Sequence, residues 1–269
     1  AGIGSPRASV EANYLLRRLV GEANYSPGFS TAEQPLINLA LQLQRDSTAV
    51  IPDIKTIESA DAVFILGEDI TNTAPRIALA LRQSVRNKAY TLAAELNLQP
   101  WQDAAVRNLA QDQLSPLFIA SVADTRLDDV AQQTAQLAPA DIARLGSAVA
   151  AKISGRVVDT LAEPLQAFVD SIASALSLAE RPLIVSGTGC AHSAVMQAAA
   201  QVANALDASG TRAMLSLAVP EANSLGQAML AGADAPTLKT LCNRATAGEI
   251  NTLVIVENDL FRRTITQCF

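Results

Sequence analysis

Three stretches of this chain are apolar without alternation: Ala62-Val63-Phe64-Ile65-Leu66, Leu183-Ile184-Val185 and Leu253-Val254-Ile255-Val256. A strand with one wet face alternates apolar and polar residues, whereas a strand buried on both faces does not. Each run ends in a glycine-rich or acidic turn, and segments with helical spacing separate them. Buried strands alternating with helices specify a mostly parallel sheet covered on both sides, a three-layer α/β/α fold. Residues 63–66, 183–185 and 253–256 are therefore expected to be central strands.

The rest of the chain is read around those strands. Gly2 to Arg7 reads as a loop. Ser9 offers an N-cap to a helix over Glu11 to Val20, and the Asn-, Ser-, Pro- and Gly-rich stretch from Gly21 to Pro35 reads as a surface loop. Pro75 opens a helix with Ile77, Leu81 and Val85 on one face. Tyr90 to Ala94 is expected as the next strand, completing a βαβ unit. Further along come a helix over Asp103–Leu114, a strand over Pro116–Ala120, and helices near Leu127–Leu137, Asp141–Ile153 and Thr160–Leu178. A strand at Leu183–Ser186, a helix at Ser193–Leu206 and a strand at Arg212–Leu217 follow, then helices near Leu225–Leu230 and Thr237–Ala247 and a strand at Thr252–Val256. Two lobes are expected, residues 1–155 and a second, Rossmann-like lobe over 156–269, meeting between Ile153 and Thr160. The length of 269 residues suits one large domain or two small ones.

Composition excludes several classes of function. A net charge of −6 and an aromatic content of 4% give neither a basic surface for phosphate backbones nor a stacking platform, so no nucleic-acid partner is expected. Three Cys and one His cannot supply a four-Cys metal or cluster framework. No apolar run approaches the roughly 18 residues of a membrane span, and no secretory leader pattern is present. Cys190, Cys242 and Cys268 have no motif spacing, which fits reduced thiols in a cytoplasmic compartment. The chain lacks an initiator Met and stops soon after a strand, so it is expected to be part of a longer polypeptide.

Chemistry could reside in the turns at the strand ends. Ser186-Gly187-Thr188-Gly189-Cys190-Ala191-His192 sits between a strand and a helix, where a G-x-G turn can admit a pyrophosphate. The third glycine of that fingerprint is replaced by His192, so one reading is a dinucleotide or nucleotide site and the other a turn that needs glycine only for its backbone. Cys190 and His192 invite a nucleophile–base reading, but residues at i and i+2 do not face each other on a helix. Gly67-Glu68-Asp69 places paired acids at a second strand end, where metal binding or acid/base work and solvated loop acids are the alternatives, and Glu257-Asn258-Asp259 is another acidic pair after a strand. Arg262 and Arg263 could pair with those acids or meet a partner.

The residues also carry a resemblance. Gly4-Ser5-Pro6-Arg7-Ala8-Ser9-Val10-Glu11 resembles the Gly-Ser-x-Arg-x-(Ser/Thr)-x-Glu segment of molybdopterin oxidoreductases. Ala60 to Gly67 is similar to the strand that in that family leads into Gly-x-Asn-Pro, and Arg181–Gly189 and Asn223–Gly226 resemble its later blocks. Within the family, the chain is most similar to the molybdopterin-enzyme-like region of the large iron–sulfur subunit of bacterial respiratory complex I. Glu68-Asp69 and Glu257-Asn258-Asp259 stand where the family keeps Gly-x-Asn-Pro, and acids facing pterin phosphates cost on the order of 1 kcal/mol or more per close pair.

The resemblance implies a region without molybdenum, with no catalytic or metal-binding residues and no bound cofactor. Gly67, Gly187, Thr188 and Gly189 are then vestigial cofactor positions. It further implies iron–sulfur clusters in a preceding part of the parent chain and a parent enzyme that passes electrons from NADH to quinone while translocating protons. The other subunits of the peripheral arm are the implied partners, with no direct membrane insertion. The implied location is the cytoplasmic side of the inner membrane.

Overall fold

The structure, a computed structural model, describes residues 1–157, 161–232 and 234–263. In chain order the elements are β1 (Gly2–Ile3), α1 (Val10–Val20), β2 (Tyr25–Ser26), α2 (Glu33–Asp46), α3 (Ile54–Glu58), β3 (Ala62–Leu66) and α4 (Ile70–Thr73). Then follow α5 (Pro75–Ser84), α6 (Asn87–Glu95), α7 (Asp103–Ala110), β4 (Leu117–Ser121), β5 (Gln133–Gln136), α8 (Pro139–Ile153) and α9 (Leu165–Leu178). The chain closes with β6 (Pro182–Gly187), α10 (Ser193–Ala208), β7 (Met214–Ala218), α11 (Ser224–Ala231), α12 (Leu238–Thr246), β8 (Val254–Ile255) and α13 (Leu260–Arg263).

Contacts divide the chain into two compact units, Asp46–Ala218 and the combination of Ala1–Arg45 with Val219–Phe269. The first is built on a five-stranded, all-parallel sheet of order β5-β4-β3-β6-β7. Its central strands are buried at every position, as their unalternating sequences require. Val63, Ile65, Leu117, Ile119, Leu183 and Val185 point to one face, where Ile57 of α3 and Ala78 and Leu81 of α5 cover them. The opposite face receives α8, α9 and α10. Phe118 meets Phe168 of α9 edge-on, with ring centroids 6.1 Å apart. Gly146 of α8 lies so close to Leu66 and Ala198 that a Cβ there would strike both. Small residues on α8 and α10 allow that approach, which is where the alanine-rich composition acts.

The second unit has a short parallel sheet of order β2-β1-β8. Ile3, Leu238, Leu241, Cys242 and Leu260 form one apolar cluster there. Beside it lies a buried polar network. Gln227 Nε2 donates to Asn13 Oδ1 (3.0 Å), the Tyr25 hydroxyl (2.6 Å) and Pro27 O (3.0 Å), and Asn13 Nδ2 donates to Ser5 O (2.9 Å). Burial pushes the Tyr25 phenol up to about 12.

The parallel three-layer fold and the central placement of 63–66 and 183–185 agree with the sequence reading. Several elements differ. Residues 254–255 form an exposed edge strand of the small sheet, not a central one. Gly2–Ile3 and Tyr25–Ser26, expected in loops, are buried strands. Tyr90–Ala94 is helical. Asn87 Nδ2 bonds Glu58 O and Ala60 O at the start of α6, and the helix formers Lys88, Ala89, Leu92, Ala93 and Ala94 continue it. The helix expected near 127–137 is a 3-10 turn followed by the polar edge strand β5. Helix α9 starts at Leu165, and the expected start at Thr160 lies outside the described residues. The division at 155/156 does not coincide with the two units, because β6 and β7 join β3 and β4 in one sheet and α8 packs on α10.

Candidate functional site

In the larger unit the chain runs outward from β3 to β4 and β5, then returns to lay β6 and β7 on the other side of β3. The order therefore reverses between β3 and β6, and in open α/β sheets the crevice beyond the carboxyl ends at such a point is where ligands bind. Two of the turns singled out in the sequence meet there: Gly67-Glu68-Asp69 after β3, and Gly187-Thr188-Gly189-Cys190 after β6.

Glu68 is not a solvated loop acid. It is 1% exposed and its Oε2 accepts the Gly189 N–H at 2.8 Å. Oε1 is buried with no hydrogen-bond partner. A Cβ on Gly189 would sit 2.7 Å from Oε1 and 2.8 Å from Oε2. One on Gly187 would strike the same carboxylate, with Ala218 O at 2.6 Å. The glycines are thus needed for close approach. Neither has a left-handed φ, whereas Gly67 does, at 67°. Thr188 N donates to Ala218 O at 3.2 Å, tying the turn to β7. Burial pushes the Glu68 carboxyl up, against the lowering influence of the Gly189 N–H, and the neighbouring Asp69 charge raises it further. Asp69 points elsewhere. Burial raises its carboxyl, but hydrogen bonds from the Thr71 and Asn72 side chains outweigh this and hold it below the usual carboxylate range.

Cys190 turns its thiol to Gly67 O at 2.7 Å. Burial, then the Glu68 charge, pushes that thiol up, the opposite of what a nucleophile needs. His192 occupies the N-cap position of α10 without a capping bond, and its Nδ1 is buried with no partner. The cysteine is engaged with Gly67 and not with the imidazole. Among the described residues no group of three His, Cys, Asp or Glu side chains could hold a metal ion. No helix among them is long and apolar enough to cross a membrane.

The third acidic turn lies in the smaller unit. Asn258 Nδ2 donates to Gly4 O (2.6 Å) and Gly28 O (3.0 Å), drawing the ends of β1 and β2 to that of β8. Gly28, at φ 76°, leaves no room for a Cβ between Gly4 O and Asn258. A polar cavity of about 250 Å³ opens beside them. Arg263 crosses its wall, donating to Glu33 Oε2 at 2.7 Å and to Glu221, while Arg7 reaches Glu221 Oε1 at 3.4 Å. The Arg263 side chain therefore pairs with Glu33 and Glu221, not with Glu257 or Asp259 as the sequence allowed. The Arg262 backbone N–H donates to Asp259 at 3.3 Å. Glu33 and Glu221 were missed in the sequence because they come from segments far from Arg263 in the chain. Glu68 was singled out in the sequence as one of a pair of turn acids, but its burial depends on β3 and β6 being neighbours, which the local sequence does not encode.

No family model matches the chain. A solved structure of the formyltransferase/hydrolase complex from Methylorubrum extorquens shares the fold, with a TM-score of 0.58 and 15% identity over 94% of this chain and 67% of that one. Curated relatives are closer. The G subunit of NADH-quinone oxidoreductase from Pseudomonas fluorescens is 48% identical over 265 residues, and that from Pseudomonas putida 47% over 264. The counterpart in Escherichia coli K12 is 43% identical over 263 residues. The chain spans 29% of the length of each of these relatives, while the matches cover 97–98% of the chain. Along nearly its whole length, the chain is thus kin to one stretch of the G subunit of NADH-quinone oxidoreductase, the family its sequence resembles.

Proposed function

We propose that this chain is a non-catalytic scaffold segment of a complex I subunit that carries its iron–sulfur clusters elsewhere. In this reading it binds no cofactor and holds no metal. It supports the cluster-bearing region and neighbouring subunits of the peripheral arm, on the cytoplasmic side of the inner membrane. The parent enzyme passes electrons from NADH to quinone, coupled to proton translocation. Gly67, Gly187, Thr188 and Gly189 are then vestigial cofactor positions, with Gly67 kept for its left-handed φ and Gly187 and Gly189 for the close approach of Glu68.

One observation carries the proposal. The turn at the reversal point of the sheet, where a doubly wound fold takes its ligand, is filled by the Glu68 carboxylate. The rival reading, a nucleotide on the Gly187-Thr188-Gly189 turn, requires a phosphate to approach that buried acid or displace it. Like charges at such a distance repel. Calorimetric titration of the chain with NADH, NAD, ATP and FAD tests the choice. No saturable heat is expected for any of the four. Saturable micromolar binding that disappears in a folded Gly189→Val variant would replace the scaffold reading with the nucleotide module.

A further inference from the structure

Strand β8 ends the small sheet on an edge that its own sequence does not suit. The run Leu253-Val254-Ile255-Val256 is apolar at every position, and the side chains of Val254 and Ile255 lie on opposite faces of the sheet. Yet Val254 is 37% exposed and Ile255 44%. Both faces are therefore wet at β8, whereas parallel sheets bury both faces under helices. The backbone is also half used. Val254 N donates to Ala1 O and Val256 N to Ile3 O, each at 3.0 Å, so these two residues face β1. Ile255, between them, turns its N–H and C=O to the other edge, where no strand pairs with β8 among the described residues. Charge or proline commonly blunts such an edge, but neither stands between Leu253 and Val256.

The order of the sheet indicates what would complete it. Strands β2, β1 and β8 are all parallel with β1 in the middle, the beginning of a doubly wound arrangement in which the strand after β8 lies along its far side. β8 leads into α13, whose Leu260 is buried in the same apolar cluster as Ile3, as the helix of a parallel crossover is. The chain spans 29% of the length of its relatives, so the longer polypeptide has ample sequence for a further strand.

We infer that the outer edge of β8 is the seam through which this chain joins the rest of its parent polypeptide: another apolar strand of that polypeptide pairs with β8 in parallel, through the Ile255 backbone. The seam presupposes the longer subunit proposed above and is independent of whether the chain binds a cofactor.

Amide hydrogen exchange, resolved to single residues by fragmentation in the mass spectrometer, reads this edge without any substitution. It is followed in the full-length subunit that contains this chain, alone at two concentrations and in the assembled oxidoreductase. The amides of Val254 and Val256, bonded to β1, are the internal reference, because a general stabilisation slows all three alike. In the full-length subunit alone, Ile255 is expected to exchange as slowly as they do, to within about tenfold. Faster exchange at Ile255 overturns the inference, as does free exchange of all three amides. Protection of Ile255 that appears only in the assembled complex assigns the edge to another subunit, and protection lost on dilution assigns it to a second copy; either result overturns the inference. A free Ile255 amide in a subunit that binds no nucleotide defeats only this seam and leaves the scaffold proposal standing.

Discussion

Gly187 shows how one hydrogen atom can decide a local structure. Nothing about its φ demands glycine, but a methyl group would press on Glu68, Ala218 O and Ala218 Cβ together. Two of those neighbours belong to a packed strand and cannot swing away. Gly187→Ala is therefore expected to lower stability by about 1–3 kcal/mol, the usual cost of overpacking. Urea unfolding checks this through a lower midpoint at unchanged slope. Glu68 makes a pH-dependent prediction. Its carboxyl is raised chiefly by burial, so the native chain binds that proton more tightly than the unfolded chain does. The stability this contributes is present in full below the ordinary value of 4.5 and is lost as pH rises through the native value. Glu68→Gln is neutral throughout and lacks that loss. Between pH 4.5 and neutrality, melting curves should show the variant losing ground to a smaller degree than the parent. Identical pH profiles would contradict the assignment.

Elements were readable in the sequence to the extent that their own residues determine them. Strands β3, β4 and β6 are apolar at nearly every position and buried on both faces, and one-residue errors at their ends did not matter. Helix α1 begins where its cap says: Ser9 Oγ accepts the Ala12 N–H at 3.1 Å. Ser9→Ala should cost about 1 kcal/mol, the usual value of such a cap, read as a lower Tm with the fold retained. Strands β1, β2 and β8 were not legible as a sheet. Each is two residues long, and they are brought together from the two ends of the chain. The run 253–256 is apolar enough for a core strand, but as an edge strand Val254 and Ile255 stay exposed. Tyr90–Ala94 misled because an aromatic and a threonine among alanines suit a strand locally. The ring of Tyr90 instead lies under the Arg86 guanidinium at 5.4 Å, one turn back along the chain.

At the scale of the whole molecule, the unit boundaries follow sheet membership, which local sequence does not encode. Residues 46–218 hold a complete five-stranded sheet, and the other unit is assembled from both ends of the chain. The site reads the same way. Both turns were visible as turns, but that one supplies the occupant of the other depends on β3 and β6 being neighbours. Under the proposed function, the filled turn holds shape and performs no chemistry. The proposed membership of NADH-quinone oxidoreductase gives the test: Gly189→Val is introduced to spoil the filled turn, and the complex is assembled with the variant in place of the parent chain. Assembled complex and NADH:quinone turnover are measured together. Less assembled complex and an unchanged turnover per assembled complex are expected. Normal assembly with a lowered turnover would contradict the proposed function.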